Sequence, residues 1–220
     1  MFSKQRNAAL VRCISVLILL NCSSALIYGQ ANARPEKNYE TTGISYQTED
    51  GWTIHGTLML PKGTPPNPLP AVVMMSEPGL RIRTIYDPYL AVPLAEKGTI
   101  AILTIDPRGS AGSYGKKDFE KFTMKELEGF RLDIKGAVRF LTSQSKVDAN
   151  RVAVLASGIA ADCAVREAAD NPSIQALILS SATTLSKDAK NYLEYHSEVR
   201  VLRGFRHAAH RERRADQNLR

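Results

Sequence analysis

Two rhythms of apolar residues organise the chain. From Gly43 to Thr48 polar and apolar residues alternate, Asp50-Gly51 supplies a tight turn, and alternation resumes. In the second run Trp52, Ile54, Leu58 and Leu60 share one face, while Thr53, His55 and Thr57 share the other. A period of two around an Asp-Gly pair predicts an antiparallel hairpin with one buried face. Pro61 to Pro70 holds five prolines and reads as a loop. Beyond it the apolar runs become continuous, as in strands covered on both faces. They are Ala71–Met75, Ile100–Ile105, Arg151–Ala156 and Ile174–Leu179. Helical spacing fills the gaps between them. Tyr86–Lys97 stops at Gly98, and Gly158–Ala169 is halted by Asp170-Asn171-Pro172. Thr123-Met124-Lys125-Glu126 is a capping box, which opens a helix burying Leu127, Phe130, Ile134, Ala137, Val138 and Leu141. Strands alternating with helices at this spacing predict βαβ units and a mostly parallel sheet, so the fold class is α/β.

After Leu179 no buried strand is expected, so the sheet reads as lacking its C-terminal strands. From residue 200 onward there are seven Arg and no Lys. This stretch is either a solvated basic tail or sequence from a lost reading frame. The expected organisation is a leader over 1–33, a linker over 34–42, an α/β domain over 43–197 and an Arg-rich tail over 198–220.

Charge follows this division. The net charge is +7, yet residues 34–197 hold 19 basic and 19 acidic residues. The basicity belongs to the two ends, so a nucleic-acid groove, which needs cations clustered on a folded face, is not expected. At the N-terminus Lys4, Arg6 and Arg12 precede an apolar run from Cys13 to Leu20. Ala31-Asn32-Ala33, Ile27-Tyr28-Gly29 and Ser23-Ser24-Ala25 offer small-residue cleavage sites. That order is a signal peptide's, and it implies a secreted or periplasmic protein. An uncleaved anchor is the weaker alternative, because the run is shorter than the roughly 20 residues a bilayer needs. Leu19-Leu20-Asn21-Cys22 keeps a lipoprotein reading open as well. Of three cysteines only Cys163 follows the leader, so no disulfide framework is expected. No residue spacing resembles a metal site, and no cofactor is implied.

Three segments carry a family resemblance. Asp50–Pro61 resembles the opening hairpin of dienelactone-hydrolase-like proteins. Ile105-Asp106-Pro107-Arg108-Gly109-Ser110-Ala111-Gly112-Ser113 resembles the D-x-R-G-x-G-x-S loop of α/β-hydrolases. Val152–Asp162 resembles their strand-elbow-helix segment, often G-x-S-x-G-A-N. Over about residues 42–195 the chain is therefore similar to an esterase-like α/β-hydrolase, with a small ester-like ligand as the implied partner. The family's nucleophile stands on a sharp strand-to-helix turn, and the next backbone N–H faces the oxyanion.

In this frame the nucleophile position falls on Gly158, flanked by Ala156 and Ala160, and Ile159 supplies the oxyanion N–H. Glycine cannot form an acyl-enzyme. Ser157 is the alternative nucleophile, one residue early. Cys163 reads as a core residue and His55 as a surface or cross-strand residue. Asp106 is expected to bond turn amides, and Asp133 to lie on a helix's polar face. His196, His207 and His210 lack the chain context of a catalytic base. Ser76-Glu77-Pro78-Gly79 replaces the usual His-Gly pair of the oxyanion loop, and Pro78 has no N–H to donate. The expectation is a hydrolase-type chain that is impaired or inactive. A non-catalytic ligand-binding protein and an active hydrolase using Ser157 are the alternatives.

Overall fold

A computed structural model describes residues 37–76, 87–113, 115, 117–182, 185–195 and 200–203. The chain divides into the units Met1–Lys37 and Asn38–Arg220, and every described strand and helix lies in the second. The expected leader lies outside the described residues. Among those described, no helix is long and apolar enough to cross a membrane.

The strands are β1 (Tyr39–Gln47), β2 (Thr53–Pro61), β3 (Leu69–Met75), β4 (Ala101–Ile105), β5 (Val147–Ser157), β6 (Ile174–Ser180) and β7 (Arg200–Arg203). They form one sheet in the order β1-β2-β4-β3-β5-β6-β7. β1 and β2 pair antiparallel, β2 joins β4 antiparallel, and every pair from β4 to β7 is parallel. The expected hairpin and parallel sheet are both present.

The helices are α1 (Val92–Ala95, preceded by a π-helical turn over Asp87–Ala91), α2 (Met124–Leu127), α3 (Phe130–Thr142), α4 (Ile159–Asp170) and α5 (Lys187–Tyr195). Alternate strand residues feed two cores. Val73, Met75, Leu103 and Val154 pack with Phe130, Ile134 and Leu141 of α3 and with Ala160, Ala164 and Val165 of α4. Val72, Met74, Ile102 and Leu155 pack on the opposite face with Ala91 and Ala95. This two-sided burial is why β3 and β4 read as continuous apolar runs.

Four expectations change. The sheet does not end at Leu179. β7 pairs Arg200–Arg203 with Ala176–Leu179, inside the stretch read as a tail. The 34–42 linker is partly strand, since Tyr39 pairs with Pro61. The hairpin is covered on both faces at one end, where Met59 joins Val72 and Met74 in the second core. The helix opened by Thr123 is two helices that meet at Glu128-Gly129. The capping box is present, with the Thr123 hydroxyl and Glu126 carboxylate each accepting the other's backbone N–H. The glycine at the break has a packing reason. A Cβ on Gly129 would come within 2.8 Å of Arg108 Cζ, so the guanidinium occupies space that only glycine leaves open.

Candidate active site

The turn from β5 into α4 is held by Gly158, the residue capping the helix, at φ 58° and ψ −130°. L-residues rarely adopt a positive φ, so the segment Ala156-Ser157-Gly158-Ile159-Ala160 turns sharply at its one glycine. The Gly158 N–H donates to the Ser180 carbonyl at 3.2 Å, and its carbonyl accepts from the Ala161 N–H at 3.2 Å. These bonds tie the turn to the end of β6 and to the first turn of α4. Ala156 and Ala160 are both fully buried, and small side chains there let strand and helix approach closely. Ile159 is the first residue of α4, so its N–H is among the four with no carbonyl one helical turn back.

Ser157 ends β5, opposite Ser180 in register, and is 8% exposed. Cys163 lies inside α4 with its Sγ 3.8 Å from the Leu127 carbonyl, and burial pushes its thiol up to about 12. A thiol that holds its proton this tightly is a core residue rather than a nucleophile.

Asp106 follows β4 directly, and its Oδ2 accepts the Gly112 N–H at 3.1 Å, as expected of a turn-bonding carboxylate. Ser113 completes the same loop. Its hydroxyl donates to the Asp106 carbonyl at 2.7 Å and accepts the His55 N–H at 2.9 Å. His55 belongs to β2, and β4 and β3 stand between β2 and β5. Three inter-strand spacings amount to about 14 Å, far beyond hydrogen-bonding reach of the turn at Gly158. His196, His207 and His210 lie outside the described residues, as do Glu77, Pro78 and Gly79 of the expected oxyanion loop.

The strongest departure from expectation is Asp133. It is fully buried rather than on a polar helix face, and it meets Arg108, which is 3% exposed. The Arg108 backbone N–H donates to Asp133 Oδ2 at 2.9 Å, and Arg108 Nε donates to Oδ1 at 2.9 Å. The same guanidinium grips Asp50 of the hairpin turn, donating to Oδ2 at 2.5 Å and to Oδ1 at 3.0 Å. One cation thus joins the hairpin, the loop after β4 and α3. Burial pushes the Asp133 carboxyl up to about 6, against the opposing pull of Arg108. Asp50 is pushed up by its partial burial, but bonds from Arg108 and Thr48 outweigh this and hold it below its ordinary value. Arg108 also lies 5.4 Å from the centre of the Trp52 ring.

A cavity of about 480 Å³ opens beside this network, between the hairpin turn, α2, α3 and α4. Trp52, Phe122 and Leu132 form its apolar wall, and neither Ser157, Gly158 nor Ile159 lines it. No cluster of metal-ligating side chains occurs among the described residues.

Neither a family model nor a curated protein matches the sequence. Solved structures do match. A hypothetical protein of Pseudomonas aeruginosa aligns with a TM-score of 0.56 and 18% identity over 84% of this chain and 56% of that one. An acetyl xylan esterase from Paenibacillus sp. R4 gives 0.51 and 23% identity over 76% and 61%. An α/β hydrolase from Penicillium sp. sh18 gives 0.51 and 20% over 64% and 45%. The chain spans about half of the length of these proteins. With its antiparallel hairpin, parallel sheet and sharp β5–α4 turn, the chain has the α/β-hydrolase fold.

Proposed function

We propose that this chain is an exported α/β-hydrolase-type protein, related to serine hydrolases of esters and lactones, in which nucleophilic catalysis is impaired or lost. The observation that carries the reading is the backbone at Gly158. Its φ of 58° and ψ of −130° make the strand-to-helix turn that would lift a side chain clear of the sheet, and the residue there has none. In a serine enzyme the hydroxyl at this place gives its proton to a base and attacks the ester carbonyl. The tetrahedral oxyanion rests on the next backbone N–H, here that of Ile159, and its collapse to the acyl-enzyme expels the alcohol with that proton. Without the hydroxyl no acyl-enzyme forms. Ser157 does not substitute for it, being mostly buried in β5 and paired in register with Ser180. Ile159 at the start of α4 would leave a partial oxyanion site.

The test is turnover of a short-chain aryl ester by the purified protein and by Gly158→Ser. The native chain is expected to match the uncatalysed rate. The variant is expected to gain at most weak turnover, because a serine needs an adjacent base and the described histidine, His55, is three strands away. Ordinary enzyme rates from the native chain would refute the reading. Ordinary rates from the variant alone would mean that a base already faces the turn.

A further inference from the structure

The cavity beside Trp52 lies apart from the turn at Gly158, and its wall has a definite chemistry. Trp52 and Phe122 meet edge to face with ring centres 5.7 Å apart. The charged side chains around them are unequally satisfied. Of the acids, Asp50 is held by Arg108, Glu126 by Lys117 at 2.8 Å, and Glu167 by Arg131 at 3.1 Å. Two cations are not so held. Arg166 has only a long ion pair, its Nη1 standing 3.9 Å from Asp162 Oδ2, beyond hydrogen-bonding distance. Lys125 forms no ion pair among the described residues. Glu128, the remaining acid of the wall, is exposed. The uncommitted charge around the aromatic wall is therefore mainly positive.

We infer that this cavity is a binding site for a small aromatic carboxylate. The ring lies against Trp52 and Phe122, and the carboxylate accepts hydrogen bonds from Arg166 and Lys125. A volume of about 480 Å³ falls within the range of small-ligand pockets. A planar anion also suits the guanidinium fork of Arg166, which can engage both carboxylate oxygens. A cationic ligand is disfavoured, because the approach to Trp52 already carries Arg108, and Lys117 stands 6.0 Å from the centre of the Phe122 ring. The site does not depend on hydrolytic activity, since it contains none of the residues of the β5–α4 turn.

Trp52 is the only tryptophan of the chain, so its emission reports the cavity directly. The experiment is a titration of the full chain with benzoate, benzyl alcohol and benzylamine, read by Trp52 fluorescence and by calorimetry. Benzoate is expected to bind saturably. The alcohol and the amine are expected to bind at least about tenfold more weakly, the factor set by one charge-assisted hydrogen bond. Arg166→Gln, at a half-buried position, and Lys125→Gln, at an exposed one, are each expected to weaken benzoate about tenfold with little change in melting temperature. Glu128→Gln is expected to leave benzoate affinity the same or slightly improved. Absence of both heat and emission change with benzoate overturns the proposal, as does equal binding of all three compounds. Benzoate binding that survives both cation substitutions would overturn the assigned site.

Discussion

Replacing Arg108 by Met tests the ionic core of this fold. The change keeps much of the buried stem but removes the guanidinium, leaving Asp133 fully buried with no cation. Breaking a buried pair by deleting one partner costs about 3–5 kcal/mol, mostly through the charge left behind. Asp50 adds little to that figure, because its side chain is 38% exposed and water can solvate it. We therefore expect a loss of about 3–5 kcal/mol near neutral pH, measured by urea denaturation with the slope unchanged. The loss should shrink as the pH falls toward the ordinary aspartate range, where Asp133 takes up a proton instead of standing ionised in the core. A second substitution separates charge from packing. Asp133→Asn retains an acceptor for the Arg108 backbone N–H but carries no charge. In the Arg108→Met background it should recover about 1–3 kcal/mol, the difference between an unpaired buried charge and an unpaired buried amide. A loss below about 1 kcal/mol for Arg108→Met would refute this account of the network. So would strict additivity of the two substitutions, because residues that share hydrogen bonds should couple.

Three further outcomes follow from other parts of the molecule. In the native chain Asp133 is raised from 3.8 to about 6, so the folded state binds its proton more tightly than the unfolded chain does. Its contribution is present in full below the unfolded value and is lost as pH rises through about 6, by about 3 kcal/mol at most; urea denaturation across this window should show the trend, and Asp133→Asn should abolish it. Gly136→Ala improves helix propensity by about 1 kcal/mol, yet its Cβ would stand 2.5 Å from Tyr46 Cε2, and Tyr46 donates to the Asp133 carbonyl at 2.6 Å. Displacing that ring should outweigh the gain and lower the melting temperature; a rise would show that Tyr46 repacks freely. Mass spectrometry of exported protein should find the N-terminus between residues 26 and 34, given the three small-residue cleavage sites. An intact Met1 would contradict cleavage.

The parts of the fold visible in the sequence are those whose burial leaves a simple period. β3 and β4 announce themselves as apolar runs because both of their faces are buried, and β6 because Ile174, Leu177 and Leu179 are buried on one face while Ala176 and Ile178 on the other are half-buried. The Asp50-Gly51 turn is equally plain, with Gly51 at φ 82°. β7 is hidden because its residues are Arg-Val-Leu-Arg, and what makes it a strand is backbone pairing with Ala176–Leu179. α5 escapes notice for a similar reason, although Ala189, Tyr192 and Leu193 form a weak stripe at helical spacing. Arg108 belongs to the loop motif after β4, but its partners lie 58 and 25 residues away in sequence. Asp133 did leave a trace. It lies in the helical stripe of Phe130, Ile134 and Ala137, where an acid on the apolar side of a helix signals a buried cation partner. For the candidate site, the alignment of small residues around Gly158 placed the turn, while the cavity beside Trp52 had no sequence signal because three separate helices and the hairpin build it.

The central claim is that the sharp β5–α4 turn presents no nucleophile. It is tested most directly by exposing the purified native protein to a fluorophosphonate probe, which phosphonylates an activated serine with loss of fluoride, and mapping any adduct by peptide mass spectrometry. The account predicts no serine adduct above that of heat-denatured protein. A stoichiometric adduct on Ser157 would contradict it, because the hydroxyl at the end of β5 would then be the one that the turn activates.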